Sequence, residues 1–144
     1  MAILVFPKKK EEDSRKTPPA APPESLRQGE KRSIAVSVQT GALAGKTYFF
    51  DADFPLAMGR DPETCDLVLE GYPRVSRNHC TVIYDPGIDH FYITDTSMNG
   101  TYLLLKGRRS LKLYPIKKGK KSLLVTDSIL FLGDENCIVH LSVQ

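Results

Sequence analysis

The chain has 144 residues, of which 41% are hydrophobic, and a net charge of +3 at pH 7. This length and composition fit one globular domain with a sizeable core and a modest tail. Residues 1–33 carry eight Lys/Arg and five Asp/Glu, which leaves twelve of each in residues 34–144. The basic surplus therefore belongs to the first segment, and bulk charge gives no reason to expect nucleic-acid binding by the rest.

The sequence favours a soluble protein of the cytoplasm or nucleus. No apolar run approaches the ~20 residues that span a bilayer, and residues 1–6 lack the charged start of a secretory signal. Cys65, Cys80 and Cys137 lie far apart and form no C-x-x-C pair, which argues against a zinc site or a redox dithiol. We therefore expect no signal peptide, no membrane span, and no metal or other cofactor.

Residues 1–33 have the composition of a disordered tail. Residues 8–16 are almost all charged and residues 17–23 are rich in Pro and Ala. Such a segment cannot bury enough apolar area to offset its chain entropy. The Thr17-Pro18 pair offers a phosphorylation site, and a flexible spacer of roughly 40 residues would let it fold back onto the domain. Contact of the chain with its own tail is thus one hypothesis for a partner.

From residue 34 onward the chain consists of short β-type runs separated by turn residues. Residues 34–39 alternate apolar and polar side chains as a half-buried strand does, and no helical period of any length follows. The expected strands cover residues 34–39, 46–50, 54–58, 66–69, 79–84, 90–94, 101–105, 110–114, 121–125, 129–132 and 137–143. Eleven short strands at this spacing predict an all-β sandwich for residues 34–144.

Three polar clusters adjoin these strands: Gly59-Arg60, residues 75–79 (VSRNH) and residues 95–101 (DTSMNGT). An arginine fork, a serine hydroxyl and an asparagine amide at one rim of a sheet protein would suit a phosphate group. Each cluster alone has a structural explanation, because a surface arginine can pair with a nearby carboxylate and Ser or Asn-Gly commonly forms turns. Only the three together make a functional case.

In order and spacing, these clusters resemble the signatures of the forkhead-associated (FHA) domain family, and residues 129–133 resemble its closing strand. The resemblance covers residues 34–144 and implies an eleven-stranded FHA/SMAD-like β-sandwich that binds phosphothreonine peptides through loops at one end. By position, Arg60 would contact the phosphate and Ser76 would donate a hydroxyl bond to it. Arg77 would lie near the peptide or phosphate, and Asn99 would hold the peptide backbone.

The same resemblance assigns loop-shaping roles to Gly59, His79 and Gly100. His79 follows Ser76 by three residues, but no nucleophile elbow surrounds them, so a structural histidine is favoured over a catalytic one. Met98 departs from the family, which usually has Ser or Thr there to help bind the phosphate or peptide. That change removes one hydrogen bond, about 0.5–1.5 kcal/mol.

A basic run covers residues 106–121, which hold eight Lys/Arg and no Asp or Glu. Lysines on edge strands discourage sheet-to-sheet aggregation, which explains such a run structurally. Strand alternation also returns residues 115–119 to the end of the sandwich that carries residues 95–101. On this basis we expect Lys117 and Lys118 to favour partners with acidic residues near the phosphothreonine.

The leading interpretation is a non-enzymatic, phosphothreonine-dependent peptide-binding module that acts as a signalling adaptor. Met98 favours an alternative, a phosphate-independent assembly domain of the same fold within a larger complex. Nucleic-acid association through the basic segments lacks an interleaved aromatic platform for bases. An enzyme is disfavoured, because the sequence shows no metal cluster, phosphate-cradling glycine loop or nucleophile–base pair.

Overall fold

The computed structural model describes residues 32–144, so the expected tail and its Thr17-Pro18 pair lie outside the described residues. The described part contains eleven β-strands and a single 3-10 turn at Gly41–Leu43. The strands are β1 (Ser33–Val38), β2 (Thr47–Asp51), β3 (Leu56–Gly59), β4 (Leu67–Val68), β5 (Cys80–Asp85), β6 (His90–Asp95), β7 (Thr101–Lys106), β8 (Leu111–Pro115), β9 (Lys121–Val125), β10 (Ser128–Leu132) and β11 (Ile138–Val143). The prediction of an eleven-stranded all-β fold is confirmed.

The strands form two sheets that pack face to face. The six-stranded sheet has the order β2-β1-β11-β10-β7-β8, and the five-stranded sheet has the order β4-β3-β5-β6-β9. All the pairings are antiparallel except that of β3 with the two-residue strand β4. The expected strand at residues 66–69 is shortened to this parallel pair, and beyond it the N–H of Leu69 makes one further bond to the carbonyl of Gly59.

The core lies between the two sheets and follows the alternation of the strands. In β5 and β6, every second residue is buried, with Val82 and Phe91 fully enclosed. Cys80 and Cys137 are buried and free, as expected of small core residues. Burial raises the pKa of the Cys137 thiol to about 12, which keeps it protonated. Within residues 32–144 no helix is long and apolar enough to cross a membrane.

Two crossings between the sheets meet at one end of the sandwich. Residues 96–100 carry the chain from β6 to β7, and residues 116–120 carry it from β8 to β9. An isolated bridge joins Asp95 to Lys118, and the N–H of Gly119 bonds to the carbonyl of Asp95 at 2.8 Å. Residues 115–119 therefore lie beside the 95–101 loop, which strand alternation alone had predicted.

Candidate functional site

The three clusters meet at one end of the sandwich through hydrogen bonds between their loops. The backbone N–H of Arg60 donates to the carbonyl of Ser76 at 3.0 Å, which joins the first loop to the second. The backbone N–H of Met98 donates to Ser76 Oγ at 2.9 Å, and Asn99 Nδ2 donates to the carbonyl of Arg74 at 2.9 Å. We call this assembly the loop site, and Arg60, Ser76 and Asn99 all belong to it.

Arg60 is exposed to solvent at the loop site. Its Nε donates to the carbonyl of Val75, which fixes the plane of the fork against the second loop. Neither terminal nitrogen has a partner among residues 32–144, so the pairing with Asp61 or Glu63 that would make Arg60 an ordinary surface residue does not form. A held guanidinium with free terminal N–H groups suits bidentate binding of a phosphate.

The nearby carboxylate is occupied by Arg77. Arg77 Nη2 lies 3.5 Å from Asp61 Oδ2, and the arginine side chain is 75% exposed. The N–H of Glu63 is the main group that lowers the pKa of Asp61, and the charge of Arg77 adds to it. Arg77 therefore lies at the rim of the loop site, where it offsets the charge of Asp61, the residue next to Arg60.

Ser76 connects two loops while keeping its own proton available. Its Oγ accepts the bond from Met98, and no described acceptor takes the hydroxyl hydrogen. Its backbone N–H donates to Nδ1 of His79 at 3.0 Å, which fixes the turn before β5. Met98 is 85% exposed, so within the protein it supports the loop site through its backbone N–H and leaves its side chain open at the rim.

His79 is fully buried beneath the loop site and holds two loops together. Nδ1 accepts from Ser76, and Nε2 lies 3.0 Å from the carbonyl of Gly100, so the ring is neutral with its proton on Nε2. Burial lowers the pKa of this imidazole, against the opposing effect of the Gly100 carbonyl. Protonation of Nδ1 would remove the acceptor for the Ser76 N–H.

A buried carboxylate organises the 95–101 loop. Oδ1 of Asp95 accepts from the N–H of Ser97 at 3.1 Å, from its hydroxyl at 2.6 Å, and from Thr101 Oγ1 at 2.9 Å. Lys118 Nζ lies 3.5 Å from Oδ2 and also donates to the carbonyl of Ser97. Although burial alone would raise it, the pKa of Asp95 is lowered by these hydrogen bonds and by Lys118.

Two glycines permit the close approach of the loops. A Cβ on Gly59 would lie 2.2 Å from the carbonyl oxygen of Arg77, so no larger residue fits between the first two loops. Gly100 has φ +95°, a conformation that other residues rarely adopt, and a Cβ there would meet Tyr102 Oη at 2.7 Å. Both glycines therefore shape the backbone of the loop site.

Sequence reasoning left two contributors without a role at this site. Arg74 receives the Asn99 amide on its carbonyl and has its own Nε 3.9 Å from Asp134 Oδ2. Asp95 belongs to the third cluster but has no role of its own in the sequence analysis, yet it is the ionic centre of that loop. The local pattern Asp-x-Ser was the available signal for the second, whereas nothing near Arg74 in the sequence points to Asn99.

A pocket adjoins Arg60 on the β4 side of the loop site. It measures about 260 Å³ and is lined by Arg60, Pro62, Val68, Glu70 and Gly71. Among residues 32–144, no group of three or more His, Cys, Asp and Glu side chains is placed to hold a metal ion. The loop site thus offers hydrogen-bond donors and one free guanidinium as its chemistry.

Comparison with known proteins gives one match to a family model and several structures of similar fold. Residues 56–121 match the sequence model of the FHA domain, while no curated protein sequence matches the chain. The FHA domain of the CT664 protein from Chlamydia trachomatis superposes with a TM-score of 0.58 and 23% identity, covering 76% of this chain and 96% of that one.

Two similar structures contain phosphothreonine peptides. The N-terminal FHA domain of RAD53P from S. cerevisiae was solved with such a peptide and has a TM-score of 0.57 at 22% identity, covering 77% of this chain and 91% of that one. The MEK1 FHA domain, solved with a HOP1 phosphothreonine peptide, has a TM-score of 0.57 at 24% identity, covering 77% and 96%. The described residues share the fold of these FHA domains, and residues 56–121 carry the sequence match to the FHA domain.

Proposed function

We propose that this domain binds phosphothreonine-containing segments of other proteins at the loop site and acts as a signalling adaptor. The observation that carries the proposal is the guanidinium of Arg60, which Val75 holds in place while its terminal nitrogens remain unpaired among the described residues. The peptides seen with the RAD53P and MEK1 domains support the choice of phosphothreonine as the ligand.

Arg60 and Ser76 bind the phosphate in this proposal. The fork of Arg60 makes charge-assisted hydrogen bonds to two phosphate oxygens, and Ser76 donates its uncommitted hydroxyl hydrogen to the phosphate. Both groups are held by other loops before the ligand arrives, which lowers the entropy cost of binding.

Asn99 and Arg77 bind and orient the rest of the peptide. The Asn99 amide uses one N–H for Arg74, which leaves its second N–H and its oxygen for the peptide backbone. Arg77 is exposed and balances Asp61, so it keeps the carboxylate from repelling the phosphate. Met98 offers its exposed side chain at the rim, where it contacts the peptide without a hydrogen bond.

A calorimetric titration of the full chain with one peptide, with and without its phosphate, tests the proposal. We expect binding that requires the phosphate. Arg60→Ala should weaken it about a hundredfold, because a paired set of hydrogen bonds to a charged group is lost. Arg60→Lys keeps the charge but not the fork and should recover only part of the affinity.

The matched control is Arg109→Ala, which removes an exposed arginine from the opposite end of the sandwich and should leave the affinity unchanged. Equal affinity for the phosphorylated and unphosphorylated peptides would replace the proposal with a phosphate-independent assembly domain. If binding requires the phosphate, an oriented phosphothreonine peptide library, compared between the parent and the Arg60→Ala and Asn99→Ala variants, gives the residues preferred around the phosphate.

A further inference from the structure

The outer surface of the six-stranded sheet bears a continuous apolar strip at its β8 side. Cross-strand pairing aligns Leu113 with Leu104 and Leu104 with Ile129. Leu111 and Leu113 are 64% and 46% exposed, although both are large aliphatic residues. The strip, which we call the β8 face, comprises Leu111, Leu113, Pro115, Tyr102, Leu104, Ile129 and Phe131.

Within residues 32–144, the edge of β8 leaves backbone groups without a partner. In this part of the chain β8 ends the six-stranded sheet and pairs only with β7. The N–H of Gly107 bonds to the carbonyl of Ser110, and the N–H of Ile116 bonds to that of Thr101. Because hydrogen-bonded pairs alternate along an antiparallel ladder, the N–H and C=O groups of Leu111 and Leu113 point away from β7. The residues with exposed apolar side chains therefore also offer an open hydrogen-bonding edge.

The surroundings of this edge are basic. Residues 106–121 contain no acidic side chain, and Arg108, Arg109, Lys112 and Lys117 are all exposed. No carboxylate among the described residues pairs with any of these four. An open edge with an apolar outer face and uncompensated positive charge is suited to a ligand of opposite charge.

We propose that β8 binds an extended segment of a partner protein that alternates apolar and acidic residues. The segment adds to the sheet as a further strand and bonds to the free backbone groups of Leu111 and Leu113. Side chains alternate between the two faces of a strand, so its apolar residues lie beside Leu113 on the outer face. Its acidic residues then lie on the opposite face, beside Lys112.

Charge and chemistry favour this occupant over three others. The apolar start of the chain, residues 2–6, is disfavoured because Lys8, Lys9 and Lys10 follow it and would be repelled by the basic edge. A second copy would bring the same positive charges together across a β8–β8 pair. A lipid surface has no array of groups that satisfies the N–H and C=O groups along a strand edge.

The test is an NMR titration of the full chain with a capped, unphosphorylated peptide of alternating Val and Glu. We expect shifts and slowed hydrogen exchange at the amides of Leu111 and Leu113, with the Arg60 and Ser76 amides unmoved. Leu113→Thr should weaken binding about tenfold through the lost apolar contact. Lys112→Glu should weaken it roughly threefold or more, and the effect should fade with added salt.

Matched controls distinguish binding at β8 from nonspecific apolar or electrostatic binding and from binding at the loop site. Leu123→Thr removes a side chain that is 55% exposed on β9, the edge of the other sheet, and Lys46→Glu reverses an exposed charge elsewhere. Both should bind the Val–Glu peptide normally. Arg60→Ala should also bind it normally, whereas Leu113→Thr should keep full affinity for a phosphothreonine peptide.

Four results would overturn the proposal. The first is a Val–Glu peptide that binds no better than a Val–Lys peptide, which includes the failure of both to bind. The second is protection of the Leu111 and Leu113 amides that disappears when residues 2–6 are deleted, which assigns the edge to the chain's own start. The third is concentration-dependent dimerisation that Leu113→Thr abolishes. The fourth is binding to phosphatidylserine vesicles with no response to the peptide.

Discussion

The loop site and the β7–β8 hairpin are both built from short strands and connections, but they satisfy their polar groups in different ways. At the loop site, buried Asp95 and His79 use their hydrogen-bonding atoms within the protein and join distant segments. In the hairpin, Leu111 and Leu113 leave both side chain and backbone open. The loop site is organised before any ligand binds, whereas the edge of the hairpin has its backbone groups paired only when a ligand strand binds.

The comparison predicts that a Gly→Ala substitution destabilises the loop site but is tolerated in the β7–β8 hairpin. Gly59→Ala places a Cβ 2.2 Å from the Arg77 carbonyl oxygen, so one of the two loops must move. We expect the free energy of unfolding to fall by about 3 kcal/mol in chemical denaturation. Gly107→Ala, in the hairpin, meets its nearest atom at 3.4 Å and should change stability by less than about 0.5 kcal/mol. A Gly59→Ala protein as stable as Gly107→Ala would contradict a tightly built loop site.

Removing one charge should cost more stability at the buried carboxylate of the loop site than at an exposed ion pair. Asp95→Asn directs an amide N–H₂ group toward donors that need an acceptor, and it leaves Lys118 without a counter-charge. We expect a loss of about 2–3 kcal/mol, limited by the exposure of Lys118, together with weaker phosphopeptide binding. Asp127→Asn is the control, since its carboxylate is 77% exposed and its one ion-pair partner among the described residues is His140. That variant should unfold within about 0.5 kcal/mol of the parent.

Acid should weaken the loop site before it affects the rest of the fold. Because burial lowers the pKa of His79 from 6.5, the unfolded chain takes up a proton at that position while the native state does not. Stability therefore falls as the pH drops through about 6.5, by up to about 1.4 kcal/mol per pH unit. The corresponding loss from Asp95 begins only below its ordinary value of 3.8, since its pKa is also lowered.

Thermal or denaturant unfolding between neutral pH and about pH 5 measures this slope. His79→Gln should flatten it, whatever that substitution costs at neutral pH, because the buried imidazole that produces the slope is gone. His90→Gln changes a histidine outside the loop site and should keep the slope. A parent protein with constant stability across this range would mean that the imidazole is not held neutral.

Most of the fold could be predicted from the sequence because strand alternation is a local property. Val82 and Ile93 are buried in the register that their apolar–polar pattern indicates. The parallel pairing of β3 with β4 could not be predicted in this way, since it depends on long-range backbone bonds. The apolar outer face of β8 was also missed, because alternation predicts which residues share a face but not what covers that face.

The residues of the loop site were predictable in type, but their partners were not. A sequence places Arg60 and Asp61 side by side, yet the carboxylate pairs with Arg77, which is 16 residues away. Asn99 and Arg74 are 25 residues apart and meet only because the β4–β5 and β6–β7 loops converge at one end of the sandwich. Local turn chemistry thus indicates which side chains are present, while packing decides which of them remain free.

Residues 115–119 lie where the two regions meet, and their two lysines should behave differently. Lys118 donates to the carbonyl of Ser97 and faces Asp95, so it belongs to the loop site. Lys117 is exposed and has no ion-pair partner among the described residues. We expect Lys118→Ala to lower the free energy of unfolding by about 1 kcal/mol and Lys117→Ala to change it by less than about 0.5 kcal/mol.

The same pair of variants tests the preference for acidic partners. Lys117→Ala should weaken binding of a phosphothreonine peptide with acidic neighbours about threefold at low salt, and leave a peptide with neutral neighbours unaffected. Lys118→Ala should weaken both peptides equally, because it acts through the shape of the 95–101 loop. The contrary result is that Lys118→Ala weakens binding of the acidic peptide more than that of the neutral peptide, as Lys117→Ala does. That result would mean that Lys118 contacts the ligand directly and that the 95–101 loop is less organised than its hydrogen bonds indicate.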